Sequence, residues 1–585
     1  MNANDKLCIR LAPVLAACVQ VWVSTAACVV GSADPPSPRQ NPSASNASAV
    51  SSADTKAAST AIVTLDAIDS RDKPAIAVLV ARDGDVLLRH AIGLADMETQ
   101  SRATPETQFR IGSITKTFTS TAVLKLAHQG ELSIDDPLDK FIADFPRGDE
   151  VTIQHLLQHT SGIPSYTSQP EFMGSVTQAI DETTMVDQIK QLARSGYDFD
   201  PGTQFQYNNS GYFLLGQIVR LVSGEPLSDF CQRVFFEPLG MTSTGFHTPE
   251  GSFPKQAKGY SSTGSDLEPA IDWHMSQAGG AGAMISTVDD LLKWNEAIFN
   301  ETILPSSWLQ QAWTPLTIGE DRSNYGLGWT MTRERGLTEI GHNGGLQGWL
   351  SDMARIRESN MTIIVLHNSM PPAYPGLEPE VITQKLKALF LADEIAPIPK
   401  RVVDESVNAS LFDRYVGQYD YGSAVMTIRR DGDRLMAQLT GQRSFRIFPE
   451  SETEFFWKAV DAQCEFVLDD ANKCVAMWHN QGGNRFRAKR LTEIVAINLT
   501  SDQLDRFVGR YDYGGAIMTI RRQGDQLLAQ LGGQPEFNIF PTGNETFRWR
   551  VVEAQVQFIV SDSGDVVAAK HTQSGRTFEA PRLED

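Results

Sequence analysis

The chain has 585 residues, of which 41% are apolar, so it can bury several cores and is too long for one domain. We expect about two to four domains. The formal net charge of −20 at pH 7 argues against a nucleic-acid partner, because contacts to phosphates need a basic protein surface.

Residues 1–30 are typical of an export signal. Lys6 and Arg10 give a positively charged start, and a long apolar run with small residues near its end follows. A membrane-spanning helix is the competing interpretation, because this run approaches the length that a bilayer requires. Cys18 and Cys28 each follow two alanines in lipobox-like sequences and could carry a lipid. We therefore predict a periplasmic or extracellular protein, which a lipid on either cysteine could attach to a membrane.

Residues 31–60 are rich in Ser, Ala, Pro and Asn and are predicted to form a flexible linker. The next domain is predicted over residues 61–395. It begins with a short helix over residues 62–68, followed by two strands that an Asp83-Gly84 turn joins. This order predicts an α+β fold in which helices flank an antiparallel sheet.

Ser113 and Lys116 lie three residues apart at the start of the next predicted helix, so one face of that helix holds both side chains. A serine hydroxyl needs a base to become a nucleophile, and a lysine without its charge could take the proton. The spacing alone is weak evidence, because Ser70 and Lys73 repeat it in a charged loop. The helix is predicted to end near Gly130.

A mainly helical region follows. His155 and His159 are four residues apart and could bind a metal, but no third ligand is nearby, so structural or capping roles are favoured. Tyr207 and Asn209 lie in a loop before a helix predicted over residues 213–222.

The end of this domain returns to the sheet. Strands and turns are predicted over residues 325–329 and 339–349, with a strand over residues 361–367 and a closing helix over residues 380–391. The segment over residues 339–349 is rich in glycine and contains His342. No phosphate-binding loop, metal cluster or cofactor motif is found in the sequence, so we expect no cofactor and no metal.

The last part of the chain contains two similar copies. An offset of 92 residues maps Gly417 onto Gly509 and Tyr419 onto Tyr511. Each copy has short alternating strands separated by turn residues, a pattern typical of antiparallel β-barrels or sandwiches. We predict two tandem β-barrel domains, over residues 405–492 and 498–585, and neither contains a nucleophile with a base.

Cys464 and Cys474 flank a predicted hairpin tip in the first copy. In an oxidising compartment they could form a disulfide across two strands, and we expect this bond. The second copy has Val556 and Val566 at the same positions, so the fold does not require the bond.

Three motifs occur in order along the first domain. They are Ser-x-x-Lys at Ser113, Tyr-x-Asn at Tyr207 and His-x-Gly at His342. Further short motifs lie between and beside them and point to the same family as the three motifs. They are at residues 159–164, 201–202, 279–282, 286–287 and 325–329. Residues 61–391 therefore resemble the penicillin-binding-protein-like serine hydrolases, the superfamily of class C β-lactamases, DD-carboxypeptidases, related esterases and D-aminopeptidases. The resemblance implies a β-lactamase/transpeptidase-like fold with a mainly helical subdomain.

The resemblance also implies chemistry for the motif residues. Ser113 would attack a carbonyl carbon and form an acyl-enzyme, with Lys116 placed as its base. Tyr207 could relay a proton to the leaving group, for which its pKa near 10 would need to fall. Whether Lys116 or Tyr207 is the base is disputed for similar enzymes. Asn209 would orient Lys116 or the substrate.

The third motif would supply part of an oxyanion hole. Its donors would be the backbone N–H groups of Ser113 and Gly345, and Gly344 and Gly345 would let the strand approach the substrate closely. Class C β-lactamases usually have lysine where this chain has His342, and a histidine is mostly uncharged at neutral pH.

This substitution weakens the case for a β-lactamase and favours ester or amide substrates. D-aminopeptidases of the superfamily resemble the whole chain best, because they share an H-x-G motif and two β-barrel domains. We predict an exported serine hydrolase that acts on small-molecule or short-peptide substrates, D-amino-acid peptides, amides or esters among them. The alternatives are a β-lactamase, or a penicillin-binding sensor that turns over slowly.

Overall fold

The computed structural model describes residues 51–583, except residues 70–71, 170–171, 248–252, 263–266, 320, 375, 422–423, 441, 492–495, 514–516, 532–535, 551–553, 562 and 574–575. The predicted signal peptide, with Cys18 and Cys28, lies outside the described residues. Among the helices that are described, none combines the length and the apolar composition needed to cross a membrane.

The α-helices fall almost entirely in the first two thirds of the described chain. They are α1 (Ser52–Ile68), α2 (Thr115–His128), α3 (Ile153–Leu157), α4 (Phe172–Ser175), α5 (Glu182–Ser195), α6 (Asn209–Ser223), α7 (Leu227–Cys231), α8 (Glu237–Leu239), α9 (Val288–Phe299), α10 (Ser306–Ala312), α11 (Pro379–Phe390) and α12 (Ser501–Asp505).

Strands of the first domain are mostly short outside its main sheet. They are β1 (Ile76–Arg82), β2 (Asp85–Ile92), β3 (Leu94–Asp96), β4 (Ser101–Arg102), β5 (Phe109–Arg110), β6 (Gly245–Phe246), β7 (Tyr260–Ser262), β8 (Leu267–Pro269), β9 (Met284–Ser286), β10 (Thr317–Ile318), β11 (Asp321–Arg322), β12 (Thr330–Glu334), β13 (Leu337–Leu346), β14 (Trp349–Ile356) and β15 (Met361–His367).

The main sheet has the strand order β12-β13-β14-β15-β1-β2, and every neighbouring pair is antiparallel. Side chains alternate between its two faces. Val78 and Val80 of β1 pack with α1 and α11, whereas Leu79 of the same strand packs with α2 and α9 on the other face. Each fully buried aliphatic side chain of this kind contributes about 1.5–3 kcal/mol to stability. The predicted α+β sheet flanked by helices is confirmed.

Helix α1 begins earlier than the sequence pattern predicted. We expected residues 31–60 to form a flexible linker, but Ser51 caps a helix whose first residue is Ser52. The expectation is therefore wrong for residues 52–60. The alanine-rich composition suggested that nothing could be buried there, yet Ala57 and Ala61 lie on one helix face and are buried against the sheet.

Helix α2 is the central element of the domain. Its side chains from Thr115 to Leu124 are all buried, as expected for a helix that is surrounded by other elements. Phe118 stacks on Trp294 of α9 with ring centroids 3.9 Å apart. The N-terminal end of α2, which carries the Ser-x-x-Lys motif, is therefore held by a rigid scaffold.

The two sequence copies form two nearly closed eight-stranded antiparallel β-barrels, as predicted. Their strands are β16 (Gly417–Asp420), β17 (Val425–Asp431), β18 (Arg434–Leu439), β19 (Phe445–Pro449), β20 (Glu454–Trp457), β21 (Ala462–Leu468), β22 (Cys474–Gln481) and β23 (Asn484–Lys489), then β24 (Gly509–Asp512), β25 (Ile517–Gln523), β26 (Gln526–Leu531), β27 (Phe537–Pro541), β28 (Thr546–Trp549), β29 (Ala554–Val560), β30 (Val566–Gln573) and β31 (Arg576–Pro581). Bridges from Tyr419 to Arg490 and from Tyr511 to Arg582 bring the first and last strands together.

The expected disulfide is wrong. Cys464 and Cys474 are both free thiols and both buried in the first barrel. The ladder between β21 and β22 places Cys464 opposite His479, and an irregularity after Val467 places Cys474 opposite Leu468. The two cysteines are therefore not cross-strand neighbours, although they lie on the two strands of one hairpin.

Candidate active site

Ser113 lies in a tight 3-10 turn, Gly112–Ile114, that leads directly into α2. Gly112 and Ile114 are buried, whereas Ser113 is half-buried. Gly112 has a φ of +49°, a conformation that favours glycine. The serine hydroxyl is thus presented at the surface of a rigid element whose first backbone N–H groups have no partner within the helix.

Lys116 lies one turn further along and is completely buried. Its Nζ is 3.1 Å from the Oγ of Ser113, 2.8 Å from the Oδ1 of Asn209 and 2.7 Å from the backbone oxygen of Ala281. The predicted proximity of Ser113 and Lys116 is therefore present in the structure. Asn209 contacts Lys116, which its expected role of orienting the lysine requires.

These contacts define what the lysine can do. Burial lowers the pKa of Lys116 well below its usual value near 10.5, so the neutral amine is favoured. A neutral amine has two N–H bonds and one lone pair. The carbonyl oxygens of Asn209 and Ala281 can only accept, so they take both N–H bonds. The lone pair then remains for the hydroxyl proton of Ser113.

Tyr207 completes this side of the site. The Lys116 Nζ lies over its ring, 4.8 Å from the centroid. Burial raises the pKa of Tyr207 above its usual value, and the nearby Ser113 hydroxyl offsets part of this effect. The buried hydroxyl of Tyr207 has no hydrogen-bond partner among the described residues. We expected that the pKa would have to fall for a proton relay. The structure instead favours a protonated phenol, which can donate a proton but is a poor base at neutral pH.

The segment around Asn209 is fixed by the start of α6. Asn208 caps this helix, because its Oδ1 accepts a hydrogen bond from the backbone N–H of Gly211 at 2.7 Å. Asn209 Nδ2 donates to the Oγ1 of Thr167 at 2.9 Å, which directs its oxygen toward Lys116. The amide orientation of Asn209 is thus set from both sides.

The two histidines considered as metal ligands have structural roles. His155 takes part in a capping box at the start of α3, and the Nδ1 of His159 accepts a hydrogen bond from the backbone N–H of Asn208. No group of three or more His, Cys, Asp or Glu side chains that could hold a metal ion occurs among the described residues.

His342 lies on β13, and both of its ring nitrogens are occupied. Nδ1 is 2.6 Å from the backbone oxygen of Asn343, so Nδ1 carries the proton, and Nε2 accepts the hydroxyl proton of Tyr325 at 3.0 Å. Burial and the nearby Lys116 lower the pKa of His342 to about 3. The imidazole is therefore neutral and has no free N–H to offer a substrate.

Gly344 of the third motif lets β13 lie against the serine turn, whereas a methyl group on Gly345 would meet only the Leu350 side chain at 3.7 Å, so Gly345 is not needed for this approach. A methyl group on Gly344 would collide with the backbone oxygen of Ile111, and one on Gly112 would lie 2.9 Å from the backbone nitrogen of Gly345. Leu346 and Trp349 close a two-residue hairpin turn, so the alternation of the ladder directs the Gly345 N–H away from β14. This N–H faces the serine turn, as an oxyanion hole requires.

Sequence reasoning missed two functional contacts. Tyr325 was predicted only as part of a flanking motif, although its hydroxyl donates to the Nε2 of His342. The backbone oxygen of Ala281 comes from a glycine-rich flank and holds Lys116. In both cases the flanking motif marked the segment as belonging to the family, but the sequence does not indicate which atom of the segment makes the contact.

Comparisons with known proteins identify the family of the first domain. Residues 61–387 match the Beta-lactamase family model, and residues 402–485 match a domain of unknown function, DUF3471. Penicillin-binding protein 4* of Bacillus subtilis is 29% identical over 425 residues, which cover 69% of this chain and 92% of that protein.

Two solved structures are similar to this chain. SurE with D-Leu is 21% identical, with a TM-score of 0.51, over 75% of this chain and all of that one. D-amino acid amidase from Ochrobactrum anthropi SV3 is 24% identical, with a TM-score of 0.48, over 58% of this chain and 97% of that one. The family match spans more than half of the chain. The chain belongs to the Beta-lactamase family and is a serine hydrolase of that family.

Proposed function

We propose that this protein hydrolyses amide or ester bonds of small substrates through an acyl-enzyme on Ser113, with D-amino-acid amides and short D-peptides as the favoured class. The observation that carries the proposal is the position of Lys116. Its buried Nζ is 3.1 Å from the Oγ of Ser113 and its two other contacts accept hydrogen bonds, so its lone pair faces the hydroxyl.

Acylation follows from this arrangement. Lys116 takes the proton of Ser113 while the Oγ forms a bond with the substrate carbonyl carbon. The carbonyl oxygen becomes negatively charged and is stabilised by the backbone N–H groups of Ser113 and Gly345. Each such donor contributes about 3–4 kcal/mol to stabilisation of the transition state, by analogy with other hydrolases.

The leaving group must then receive a proton before the carbon–nitrogen bond breaks. Lys116 is now an ammonium ion whose Nζ lies over the ring of Tyr207, and burial keeps the Tyr207 hydroxyl protonated. Tyr207 gives its proton to the leaving nitrogen and is reprotonated by Lys116. Water then attacks the ester on Ser113 while the neutral Lys116 takes a proton from it; the bond between the acyl carbon and the Oγ breaks, and Lys116 returns that proton to Ser113.

The substrate class is argued from His342. A neutral imidazole with both nitrogens occupied supplies no positive charge to hold a substrate carboxylate, which β-lactams carry beside the reactive ring. Substrates without a carboxylate at that position fit the site better. The H-x-G motif and the two barrels, which the D-aminopeptidases share, add support for D-amino-acid derivatives.

We also propose that the protein acts outside the cytoplasm, where such substrates arise from the cell wall. The support is the charged start and apolar run of residues 1–30, together with the lipobox-like sequences at Cys18 and Cys28.

The test compares four substrates with the wild type and with Ser113→Ala: a D-leucine anilide, its L-enantiomer, a short-chain nitrophenyl ester and a chromogenic cephalosporin. We expect turnover that depends on Ser113, fastest for the D-anilide or the ester. Turnover that survives in Ser113→Ala on every substrate would refute the acyl-enzyme.

A second candidate is a penicillin-binding protein that acylates and barely turns over, which the similarity to penicillin-binding protein 4* favours. Its signature is a stable penicillin adduct on Ser113, measured by intact mass, without turnover of the anilides or the ester. Rapid hydrolysis of the cephalosporin would instead identify a β-lactamase.

A further inference from the structure

We propose that the first β-barrel is part of the active-site support: its β22–β23 turn holds the segment that carries Tyr325 and so fixes the orientation of His342. Asn484 and Gly483 of this turn are the positioning residues. The inference rests on the proposed function only because its test measures the reactivity of Ser113. The contacts from which it is argued lie between the barrel and the first domain.

The turn has the geometry of a tight two-residue hairpin. Gly482 and Gly483 have φ values of +66° and +71°, and Gln481 pairs with Asn484 across the turn. The glycines let the turn project as a narrow tip.

The tip rests directly on the backbone of β12. A methyl group on Gly483 would lie 2.6 Å from the backbone oxygen of Arg333 and 3.0 Å from its nitrogen. No side chain fits between the two backbones, so glycine is required there by contact as well as by φ. Strand β12 is the neighbour of β13, which carries His342.

Beside this contact, the two domains share a side-chain hydrogen bond. Asn324 Nδ2 donates to the Oδ1 of Asn484 at 3.1 Å, and the backbone oxygen of Asn324 accepts from the N–H of Met331 at 2.7 Å. Asn324 is therefore held by the barrel on one side and by β12 on the other.

The next residue connects this contact to the site. Tyr325 is buried, and its hydroxyl donates to the Nε2 of His342 at 3.0 Å. Its ring also lies against the ring of Tyr207, with centroids 6.0 Å apart. A shift of Asn324 would thus move a side chain that contacts two of the motif residues.

The second copy has diverged at this point. The 92-residue offset places Arg576 where the first copy has Asn484, and Ser574 where it has Gly482. An arginine has no side-chain oxygen, so the hydrogen bond that Asn484 accepts is specific to the first copy, although Gly575 keeps the glycine at the position of Gly483.

The experiment uses the full mature chain and measures the second-order rate at which a fluorophosphonate probe labels Ser113. The variants are Asn484→Ala, Asn484→Asp, Gly483→Ala and Gly432→Ala. Gly432 is the matched control, because it is a turn glycine of the same barrel with a φ of +60° and nothing within 4 Å of an added methyl group. Thermal unfolding is recorded for every variant.

We expect Asn484→Ala and Gly483→Ala to slow labelling by about two- to tenfold, the range for loss of one hydrogen bond. Asn484→Asp keeps the accepting oxygen and should label near the wild-type rate, which a general loss of barrel stability would not produce. Gly432→Ala should also label normally. Asn324→Ala combined with Asn484→Ala should be no slower than the slower single variant, because both remove one contact.

Two results would overturn the inference. One is wild-type labelling by both Gly483→Ala and Asn484→Ala; the other is an equal slowing by Gly432→Ala. A wild type that labels with the probe but cleaves neither the anilides nor the ester would contradict the proposed substrate class. The labelling rates of the variants would still test the role of the barrel.

Discussion

The Nζ of Lys116 lies 3.1 Å from the Oγ of Ser113 although the lysine is completely buried. A buried ammonium ion is costly, so the fold has placed an amine where it is most easily neutral. The first prediction follows from this pair.

Activity should need the neutral form of Lys116. Burial lowers its pKa well below 10.5, so kcat/KM should rise with pH and level off well below pH 10.5. Lys116→Arg stays charged and should lose about 10²- to 10⁴-fold in kcat/KM, the usual contribution of a general base. A pH–rate profile checks both points, and an acid limb near pH 10.5 would contradict the assignment.

Gly112→Ala should abolish activity. The added methyl group would lie 2.9 Å from the backbone nitrogen of Gly345, and the φ of +49° adds strain of about 1–2 kcal/mol. Gly130→Ala at the other end of α2 is the control, because its φ is +78° and an added methyl group meets nothing within 4 Å. Urea unfolding should show that Gly112→Ala is destabilised more, because it adds a backbone contact to the strain, and Gly130→Ala should keep its kcat/KM.

Tyr207→Phe should affect amides more than activated esters. An amine must be protonated to leave, whereas a nitrophenolate leaves without a proton, so removal of the Tyr207 hydroxyl should cost about 10²-fold on an anilide and much less on the ester. Parallel kcat/KM measurements on the two substrates check this. Equal losses on both would assign Tyr207 to acylation or to packing instead of leaving-group protonation.

His367→Leu should make the protein more resistant to acid. His367 is buried in β15, and burial lowers its pKa to about 3. The unfolded chain takes up a proton near pH 6.5 and the folded protein does not, so this histidine destabilises the fold as pH falls from about 6.5 toward 3.

The effect has a defined size. Each proton bound only by the unfolded chain contributes a slope of about 1.4 kcal/mol per pH unit to the free energy of unfolding. Urea unfolding at pH 7.5, 5.5 and 4.5 should show a shallower loss for His367→Leu than for the wild type. The exposed His128→Leu is the control for replacing a histidine by leucine outside the core.

Replacing Cys464 and Cys474 together by valine, as in the second copy, should change the free energy of unfolding by less than about 1.5 kcal/mol. Both thiols are free and buried, so no covalent bond is lost. Thermal unfolding with and without reductant should give the same midpoint for the wild type. A lower midpoint in reductant would show that the disulfide forms after all.

The sequence was most informative where one contact follows from local geometry. The i, i+3 spacing of Ser113 and Lys116 on a helix places their side chains together, and the structure has them so. The alternating pattern of the last two domains likewise predicted antiparallel barrels. The helix start at Ser52 was missed because alanine contributes little to hydrophobic periodicity but packs closely against a sheet.

Contacts that depend on strand register were not predictable in this way. The disulfide was inferred from the positions of Cys464 and Cys474 about a hairpin, but the turn of this hairpin lies closer to Cys474 than to Cys464, so Cys464 pairs with His479 and Cys474 pairs with Leu468. Similarly, Tyr325 reaches His342 only because a bridge between Tyr325 and Thr330 folds the segment back onto β12.

The β22–β23 turn has a second consequence for the molecule. β12 is an outer strand of the main sheet, and an outer strand with free N–H and C=O groups invites pairing with another chain. Gly483 lies over the backbone of Arg333, and Arg335 exchanges hydrogen bonds with Ala396 of the connecting segment. The barrel and its connection therefore cover this edge. Cutting the chain before residue 405 would remove the part of the cover that the barrel provides and leave the hydrolase domain more prone to edge-to-edge aggregation.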